Sequence, residues 1–175
     1  MNKLTRTFFE QPTLTVAKKL LGKILVFNNQ HGVITETEAY IGEDDPACHA
    51  AKGKTNRTEI MYGTAGHSYV YMIYGMYYCL NIVTEKKDFP AAVLIRGVIL
   101  NPKCNINNQE INGPGKLCKY FGINKDHNKI NLINSDCFYI AKLKNNMDFN
   151  YIQTPRIGIK LGLDKLWRFK VTSFL

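Results

Sequence analysis

The spacing of apolar residues predicts where helices and strands lie in this chain. In residues 13–22 apolar side chains recur at helical spacing, with Thr13 as a possible cap and Gly22 as a stop, which predicts a short amphipathic helix. Residues 23–27 and 33–40 are strand-like runs separated by Asn-Asn-Gln-His-Gly. This arrangement predicts an antiparallel β-hairpin.

The rest of the chain reads mainly as strands and loops. Residues 91–100 are almost all apolar except Arg96, which predicts a strand in the centre of a sheet. Gly113-Pro114-Gly115 predicts the start of a short helix, whose first backbone amides are suited to binding a phosphate. We expect further strands at residues 69–81, 138–143, 156–159 and 167–171, and loops at residues 42–57, 105–109 and 124–134. These elements predict an α+β fold, a single domain over residues 1–175 with a curved, mainly antiparallel β-sheet flanked by short helices.

The segment from Tyr69 to Asn81 places five tyrosines around Gly75. A buried phenol without a partner costs roughly 1 to 3 kcal/mol, so a core that needed only bulk would use Phe or Leu. Alternation puts Tyr69 and Tyr71 on one face of a strand, and the glycine beside Tyr74 predicts a turn with this side chain at its tip. Taken alone, the segment is more typical of a half-buried strand than of a surface for flat ligands.

Glu36, Glu38 and Tyr40 share one face of the predicted strand, because side chains alternate along it. Two neighbouring carboxylates that are desolvated can shift in pKa, and such a group can act as a general base. For a bare Glu-x-Glu motif, a solvated polar face is the simpler explanation. Likewise, His49 alone is more typical of a structural hydrogen bond, and Arg96 of a charge that neutralises a carboxylate.

The positive charge of the chain lies in its second half. Residues 1–85 hold 8 Lys and Arg against 8 Asp and Glu, whereas residues 86–175 hold 15 against 6, which accounts for the net charge of +9. This excess favours a polyanionic partner, with nucleic acid ahead of an acidic protein or an anionic membrane. A basic face kept for solubility is the alternative.

The cysteines and histidines show no pattern of a metal site or of disulfides. The five cysteines include no Cys-x-x-Cys pair and the four histidines are scattered, so we expect no metal and no cofactor. We see no signal peptide and no stretch near the roughly 18 apolar residues of a membrane span. We therefore expect a soluble, intracellular protein that is not secreted and does not bind a membrane.

Six segments follow one another in an order that resembles the alkyladenine (3-methyladenine) DNA glycosylases of base excision repair. They include Glu-Thr-Glu-Ala-Tyr-Ile-Gly at residues 36–42, the tyrosine segment to Asn81, and Gly-Pro-Gly-Lys-Leu-Cys at residues 113–118. The others lie at residues 8–23, 93–96 and 156–158. Any one could occur by chance, but the ordered set is specific and favours a functional interpretation of the tyrosines.

The resemblance implies a role for each candidate residue around the reacting bond. Glu38 corresponds to the general base that activates water for attack on C1′ of the deoxyribose, through a transition state with oxocarbenium character. Arg96 corresponds to a residue that helps to hold this water and a nearby phosphate. Tyr71 corresponds to the stacking partner on one face of the flipped base, with Tyr40 and His49 against its other face and edge.

Further correspondences concern the DNA and base selection. Tyr74 corresponds to the wedge that enters the duplex where the damaged nucleotide has left, and Asn81 to the residue that disfavours guanine by crowding its exocyclic amine. Met61 and Leu94 correspond to minor-groove contacts. The resemblance leaves Tyr69 and the two remaining tyrosines as sheet and core residues.

These roles imply a monofunctional DNA-3-methyladenine glycosylase that acts as a monomer on double-stranded DNA with damaged purines. Stacking returns about 1 to 3 kcal/mol per flipped base, and cation–π attraction favours cationic alkylated purines such as 3-methyladenine and 7-methylguanine, with hypoxanthine as a further substrate. No lysine of these motifs is placed for a Schiff base, so we expect hydrolysis without strand cleavage.

One alternative is a catalytically weakened module that binds damaged DNA. The other, a one-carbon or RNA-modifying domain, fits the Glu-Thr-Glu-Ala-Tyr segment less well.

The chain departs from the family pattern in two places. Between Arg96 and Gly113 it lacks a helical insertion that relatives usually carry, which predicts fewer contacts with the DNA backbone. Its carboxyl end is also shorter than usual. In relatives that end gives a main-chain oxygen to the catalytic water, which leaves open whether Leu175 replaces it.

Overall fold

A ten-stranded antiparallel sheet dominates the computed structural model, which describes residues 2–100, 109–143 and 147–175. The strands are β1 (Asn2–Lys3), β2 (Ile24–Phe27), β3 (Gln30–Ile41), β4 (Ser68–Ile73), β5 (Tyr77–Val83), β6 (Ala91–Leu100), β7 (Gln109–Asn112), β8 (Phe138–Lys142), β9 (Phe149–Thr154) and β10 (Arg168–Phe174). Their order is β1-β8-β2-β3-β6-β5-β4, while β7 pairs with β6, and β10 pairs with both β3 and β9. Strand β3 is therefore central, as it contacts β6 along one edge and β2 and then β10 along the other.

Short helices connect and cover these strands. They are α1 (Arg6–Phe9), α2 (Thr13–Leu20) and α3 (Pro114–Phe121), with single 3₁₀ turns at His49–Lys52, Glu59–Tyr62 and Lys125–His127. This architecture confirms the predicted α+β class with a mainly antiparallel sheet. Within the described ranges, no helix has the length and apolar character that crossing a membrane requires.

Helix α2 fixes the face that β3 presents to the core. The apolar side of α2 is buried, and the carbonyl of Ala17 accepts a hydrogen bond from the Thr37 hydroxyl at 2.9 Å. Thr37 lies between Glu36 and Glu38, so this contact directs both carboxylates to the opposite face of the sheet. The predicted alternation along β3 is confirmed.

Two bulges adjust the register between β3 and β6. The pairing moves from Glu36 with Gly97 to Thr37 with Ile95, which makes Arg96 an extra residue in β6. A compensating bulge lies just before Glu36 in β3. Bulges re-aim side chains next to functional sites, and this pair sets Arg96 against the two acidic residues of β3.

Strands β4 and β5 form the hairpin that carries the tyrosine segment. At its tip Tyr74 and Gly75 have φ angles of 51° and 67°, and positive values at both central residues are typical of tight hairpin turns. The Tyr74 side chain is 84% exposed. The predicted turn at Gly75 with Tyr74 at its tip is confirmed.

Some predicted boundaries are wrong. Residues 156–159 are not a strand, because Arg156 is held in a buried ion pair and Gly158 has a φ of 78°, which interrupts extended backbone. Thr13 is the first residue of α2 instead of its cap, since its hydroxyl bonds to Glu85. The loop between β2 and β3 has only two residues, because β3 begins at Gln30, three residues before its predicted start. The predicted loop at 105–109 lies outside the described residues except for Gln109, which begins β7.

Candidate active site

A cavity of about 470 Å³ opens on the face of the sheet opposite α2. Eight of the nine candidate residues from the sequence line it: Tyr40, His49, Met61, Tyr71, Tyr74, Asn81, Leu94 and Arg96. The ninth, Glu38, is fully buried directly behind two lining residues, since its carboxylate contacts both Tyr40 and Arg96. The sequence therefore identified residues that the fold brings to one place.

Neighbouring strands supply the floor of the cavity in register. Leu94 of β6 lies opposite Glu38 of β3 on one side and opposite Asn81 of β5 on the other. Asn81 is almost fully buried and donates a hydrogen bond from its side chain to the carbonyl of Tyr69 at 3.2 Å. Strand pairing therefore sets the relative positions of these three residues.

Three groups hold the Glu38 carboxylate. One oxygen accepts hydrogen bonds from the Ile157 amide at 2.8 Å and lies 3.3 Å from Nε of Arg96, while the other accepts from the Tyr40 hydroxyl at 2.9 Å. Burial raises the pKa of Glu38 above its ordinary 4.5, although these three partners act in the other direction. Such a carboxylate accepts a proton more readily than an exposed one.

The surroundings of Glu36, only two residues away, shift its pKa in the opposite direction. Its Oε1 accepts hydrogen bonds from Arg96 at 2.8 Å and from Arg168 at 2.7 Å. Burial alone would raise the pKa of Glu36, but the two arginines reverse this and lower it. Glu36 therefore stays ionised and anchors Arg96, whereas Glu38 has the higher pKa. Two carboxylates with separated pKa values are typical of acid–base sites.

Aromatic rings form the walls of the cavity. The His49 ring lies 4.6 Å from the Tyr71 ring, edge to face, and its Nδ1 lies 2.8 Å from the Tyr69 hydroxyl. Burial, with a contribution from the charge of Arg57, lowers the pKa of His49 to about 4, so the imidazole is neutral near pH 7. Tyr69 lines the cavity too, so the assignment of Tyr69 to sheet and core alone is incomplete: its hydroxyl positions His49.

A buried ion pair supports the wall that Tyr40 forms. Arg156 donates two hydrogen bonds to Asp45, at 2.5 and 2.8 Å, and a third to the carbonyl of Ala39 at 3.0 Å. Its guanidinium lies 4.7 Å from the centre of the Tyr40 ring. The pair ties the loop before His49 and the loop after β9 to the end of β3, next to Glu38.

Two candidate residues lie deeper than predicted. Met61 and Leu94 are only 1% and 3% exposed, so they line the inside of the cavity and not an outer surface that a DNA groove would meet. Their predicted role as minor-groove contacts does not fit this position, because a buried side chain is shielded by its neighbours. Tyr74, in contrast, combines a place at the rim with high exposure.

Residues 157–161 form one side of the cavity, and the sequence predicted no role at the site for any of them. Ile157 bonds to Glu38, and the exposed Lys160 adds a lysine to the lining just beyond the segment 156–158. Leu175 does not approach Glu38, since its amide bonds to the carbonyl of Asp148 at the other end of β9 and β10. The sequence signals for this loop were the family segment at residues 156–158 and, within it, Gly158, whose positive φ forms the turn.

The cavity offers acid–base groups and aromatic surface. The Cys79 thiol also lines it, but burial raises its pKa to about 11, so it remains protonated and is a poor nucleophile. Across the described part of the chain, no three His, Cys, Asp or Glu side chains are grouped to hold a metal ion. The arrangement suits proton transfer beside a flat aromatic ligand.

Comparisons with known proteins agree with this chemistry. Residues 7–173 match the family model described as Methylpurine-DNA glycosylase (MPG). Proteins named "Putative 3-methyladenine DNA glycosylase" include one from Rickettsia felis, 55% identical over 100% of this chain and 98% of its own length, and one from Ehrlichia chaffeensis, 58% identical over 96% and 92%. Another, from Wolbachia pipientis, is 60% identical over 95% of this chain and 88% of its own. Since the family match includes every segment that builds the cavity, the chain belongs to the methylpurine-DNA glycosylase family of DNA repair hydrolases.

Proposed function

We propose that this protein releases alkylated purines, 3-methyladenine and 7-methylguanine, and also hypoxanthine, from double-stranded DNA by hydrolysis after base flipping. The observation that supports this most strongly is the single cavity in which aromatic walls, Asn81 and Arg96 meet in front of the buried Glu38 carboxylate. The names of the relatives support 3-methyladenine as a substrate. One cavity needs no second subunit, so we infer that a monomer acts on the DNA.

The flipped purine stacks between the tyrosine walls. Tyr71 covers one face, Tyr40 and His49 meet the other face and the edge, and Asn81 at the floor disfavours a base with an exocyclic amine at that position. Tyr74 enters the duplex from the hairpin tip and fills the space that the nucleotide leaves. Stacking of about 1 to 3 kcal/mol per ring offsets the few kcal/mol that flipping costs.

Glu38 acts as the general base. Water that enters between Tyr40 and Arg96 gives a proton to the Glu38 carboxylate as its oxygen bonds to C1′ of the deoxyribose. The N-glycosyl bond breaks and its electron pair leaves with the purine, which neutralises a cationic alkylated base. The products are the free base and an abasic site. Arg96, held ionised by Glu36, stabilises the negative charge around the reaction.

The Glu38→Gln variant tests this mechanism, since it keeps the shape of the side chain but cannot accept the proton. We expect base release from methylated duplex DNA to fall by about 100-fold or more. The acid limb of the wild-type pH profile should lie above pH 4.5, because burial raises the pKa of Glu38. Release is measured by chromatography of the free purine.

Glu10→Gln is the matched control, because Glu10 is exposed at the end of α1. It should leave the rate unchanged. Equal release by wild type and Glu38→Gln would contradict the mechanism, as would a borohydride-trapped adduct between Lys160 and DNA. Lesion-specific binding by wild type without any base release would favour the binding-module alternative.

A further inference from the structure

Each tyrosine wall of the cavity has an arginine against its ring. Cζ of Arg57 lies 4.9 Å from the centre of the Tyr71 ring, and Cζ of Arg156 lies 4.7 Å from the centre of the Tyr40 ring. Neither arginine belongs to the cavity lining. Both guanidinium groups therefore contact their tyrosine from outside the space that a base would fill.

The two arginines differ in how their charge is compensated. Arg156 is buried and its charge is matched by the bidentate contact with Asp45. Arg57 is exposed, and no described carboxylate lies within ion-pair distance of it. Of these two arginines, Arg57 alone thus leaves an uncompensated positive charge beside a tyrosine wall of the cavity.

That charge acts on a ligand stacked against Tyr71 in two ways. A ring that already contacts a cation on one side attracts a second cation less strongly, because the attraction depends on the negative potential of the ring. The guanidinium also repels a positive base through the ring, at a separation of roughly 8 Å that water and salt screen only in part. A neutral base of the same shape experiences neither effect and still stacks fully.

We propose that Arg57 determines the charge selectivity of the base pocket, by weakening the binding of cationic purines relative to neutral purines of the same shape. This inference rests on the proposed function, since it requires that a flipped purine stacks on Tyr71. Its consequence is a wider substrate range. Without the charge of Arg57, two tyrosine walls would select strongly for cationic alkylated bases and neutral lesions such as hypoxanthine would compete poorly.

Two duplexes that differ only in the charge of the lesion test the inference. One carries 7-methylguanine and the other 7-methyl-7-deazaguanine, its neutral isostere, both with a 2′-fluorine that stabilises the N-glycosyl bond. Fluorescence anisotropy gives the Kd of wild type and of Arg57→Gln for both duplexes and for undamaged DNA. We expect Arg57→Gln to raise the preference for the cationic lesion, as the ratio of the two Kd values, by roughly threefold to tenfold.

Lys54→Gln is the matched control. Lys54 is an exposed cation of the same loop and lies against Tyr62, which does not line the cavity. The Lys54→Gln variant should bind both duplexes more weakly, and to the same extent. The ratio of its two Kd values should stay within about twofold of the wild-type ratio. An unchanged ratio in Arg57→Gln, with both Kd values raised equally, would mean that Arg57 contacts only phosphate and would overturn the inference. If wild type binds neither lesion better than undamaged DNA, the proposed function itself is wrong.

Discussion

His49 is a histidine whose surroundings keep it uncharged. Burial and the nearby Arg57 lower its pKa from the ordinary 6.5 to about 4 in the folded protein. In the unfolded chain the imidazole binds a proton once the pH falls below 6.5, whereas the folded protein does so only near pH 4. Unfolding takes up a proton in this window, so the folded state loses stability as the pH falls from 6.5 to 4.

The His49→Gln variant removes this dependence, because glutamine does not titrate. We expect the difference in free energy of unfolding between wild type and variant to shift in favour of the variant as the pH falls from 6.5 to about 4. Urea unfolding across this range measures it. A difference that does not change with pH would show that the folded protein does not depress the pKa of His49.

The sequence predicted the residues that line the cavity better than the residues that hold them in place. Side chains such as Glu38, Tyr71 and Asn81 sit in ordered motifs, and period-two spacing correctly placed them on particular faces of strands. Arg57 contacts Tyr71, and Asp45 contacts Arg156, across separations in the sequence that exceed any local pattern. The sequence alone therefore does not predict these contacts. The depth of Met61 was equally hidden, because burial depends on every element around it.

At the level of elements, the end of β3 is held by two loops that the Asp45–Arg156 pair joins. Asp45 also accepts hydrogen bonds from the amides of Ile41 and Ala47, so the carboxylate fixes the first of these loops as well as the arginine. On the other side, Ile157 follows Arg156 directly and donates its amide to Glu38. Displacement of either loop would therefore disturb the Glu38 carboxylate.

Asp45→Asn leaves the Arg156 charge buried without its counter-ion. We expect a loss of about 3 to 5 kcal/mol in the free energy of unfolding, because an unpaired buried charge is costly. Removal of both charges, in Asp45→Asn with Arg156→Met, should cost less than the sum of the single variants. Urea unfolding of the four proteins measures the coupling.

Glu43→Gln provides the comparison on the same loop. Glu43 is exposed and bonds to the Tyr62 hydroxyl at 2.5 Å, so its replacement should change stability by at most about 1 kcal/mol. If the double variant is as unstable as the two single losses added together, the two residues are not coupled and the loops are held by other contacts.

Element prediction succeeded where one local pattern decided the structure. The hairpin tip at Gly75 and the central strand β6 followed from a glycine beside alternating residues and from a continuous apolar run. The prediction of a strand at 156–159 was wrong because Arg156 forms an ion pair with Asp45 and Gly158 forms a turn. Both features depend on tertiary contacts that a local pattern does not contain. The two bulges around Arg96 were invisible for the same reason: register is a property of two strands together.

At the scale of the whole molecule, the net positive charge and the cavity make different contributions to DNA binding. The net charge of +9 attracts any DNA, damaged or not, and releases counterions in proportion to the phosphates contacted. In the proposed function the cavity, in contrast, binds a neutral flipped base through stacking and hydrogen bonds, which release no counterions. Overall affinity should therefore depend strongly on salt, while the preference for a neutral lesion should not.

Salt titrations of the Glu38→Gln variant separate these contributions. We expect plots of log Kd against log salt concentration for a hypoxanthine duplex and for undamaged DNA to be steep and parallel, each with a slope of roughly 0.9 per neutralised phosphate. The vertical distance between the lines then measures the cavity alone. Slopes that differ by about one or more would show that flipping brings a further phosphate into contact, in which case the basic surface would also take part in selecting the lesion.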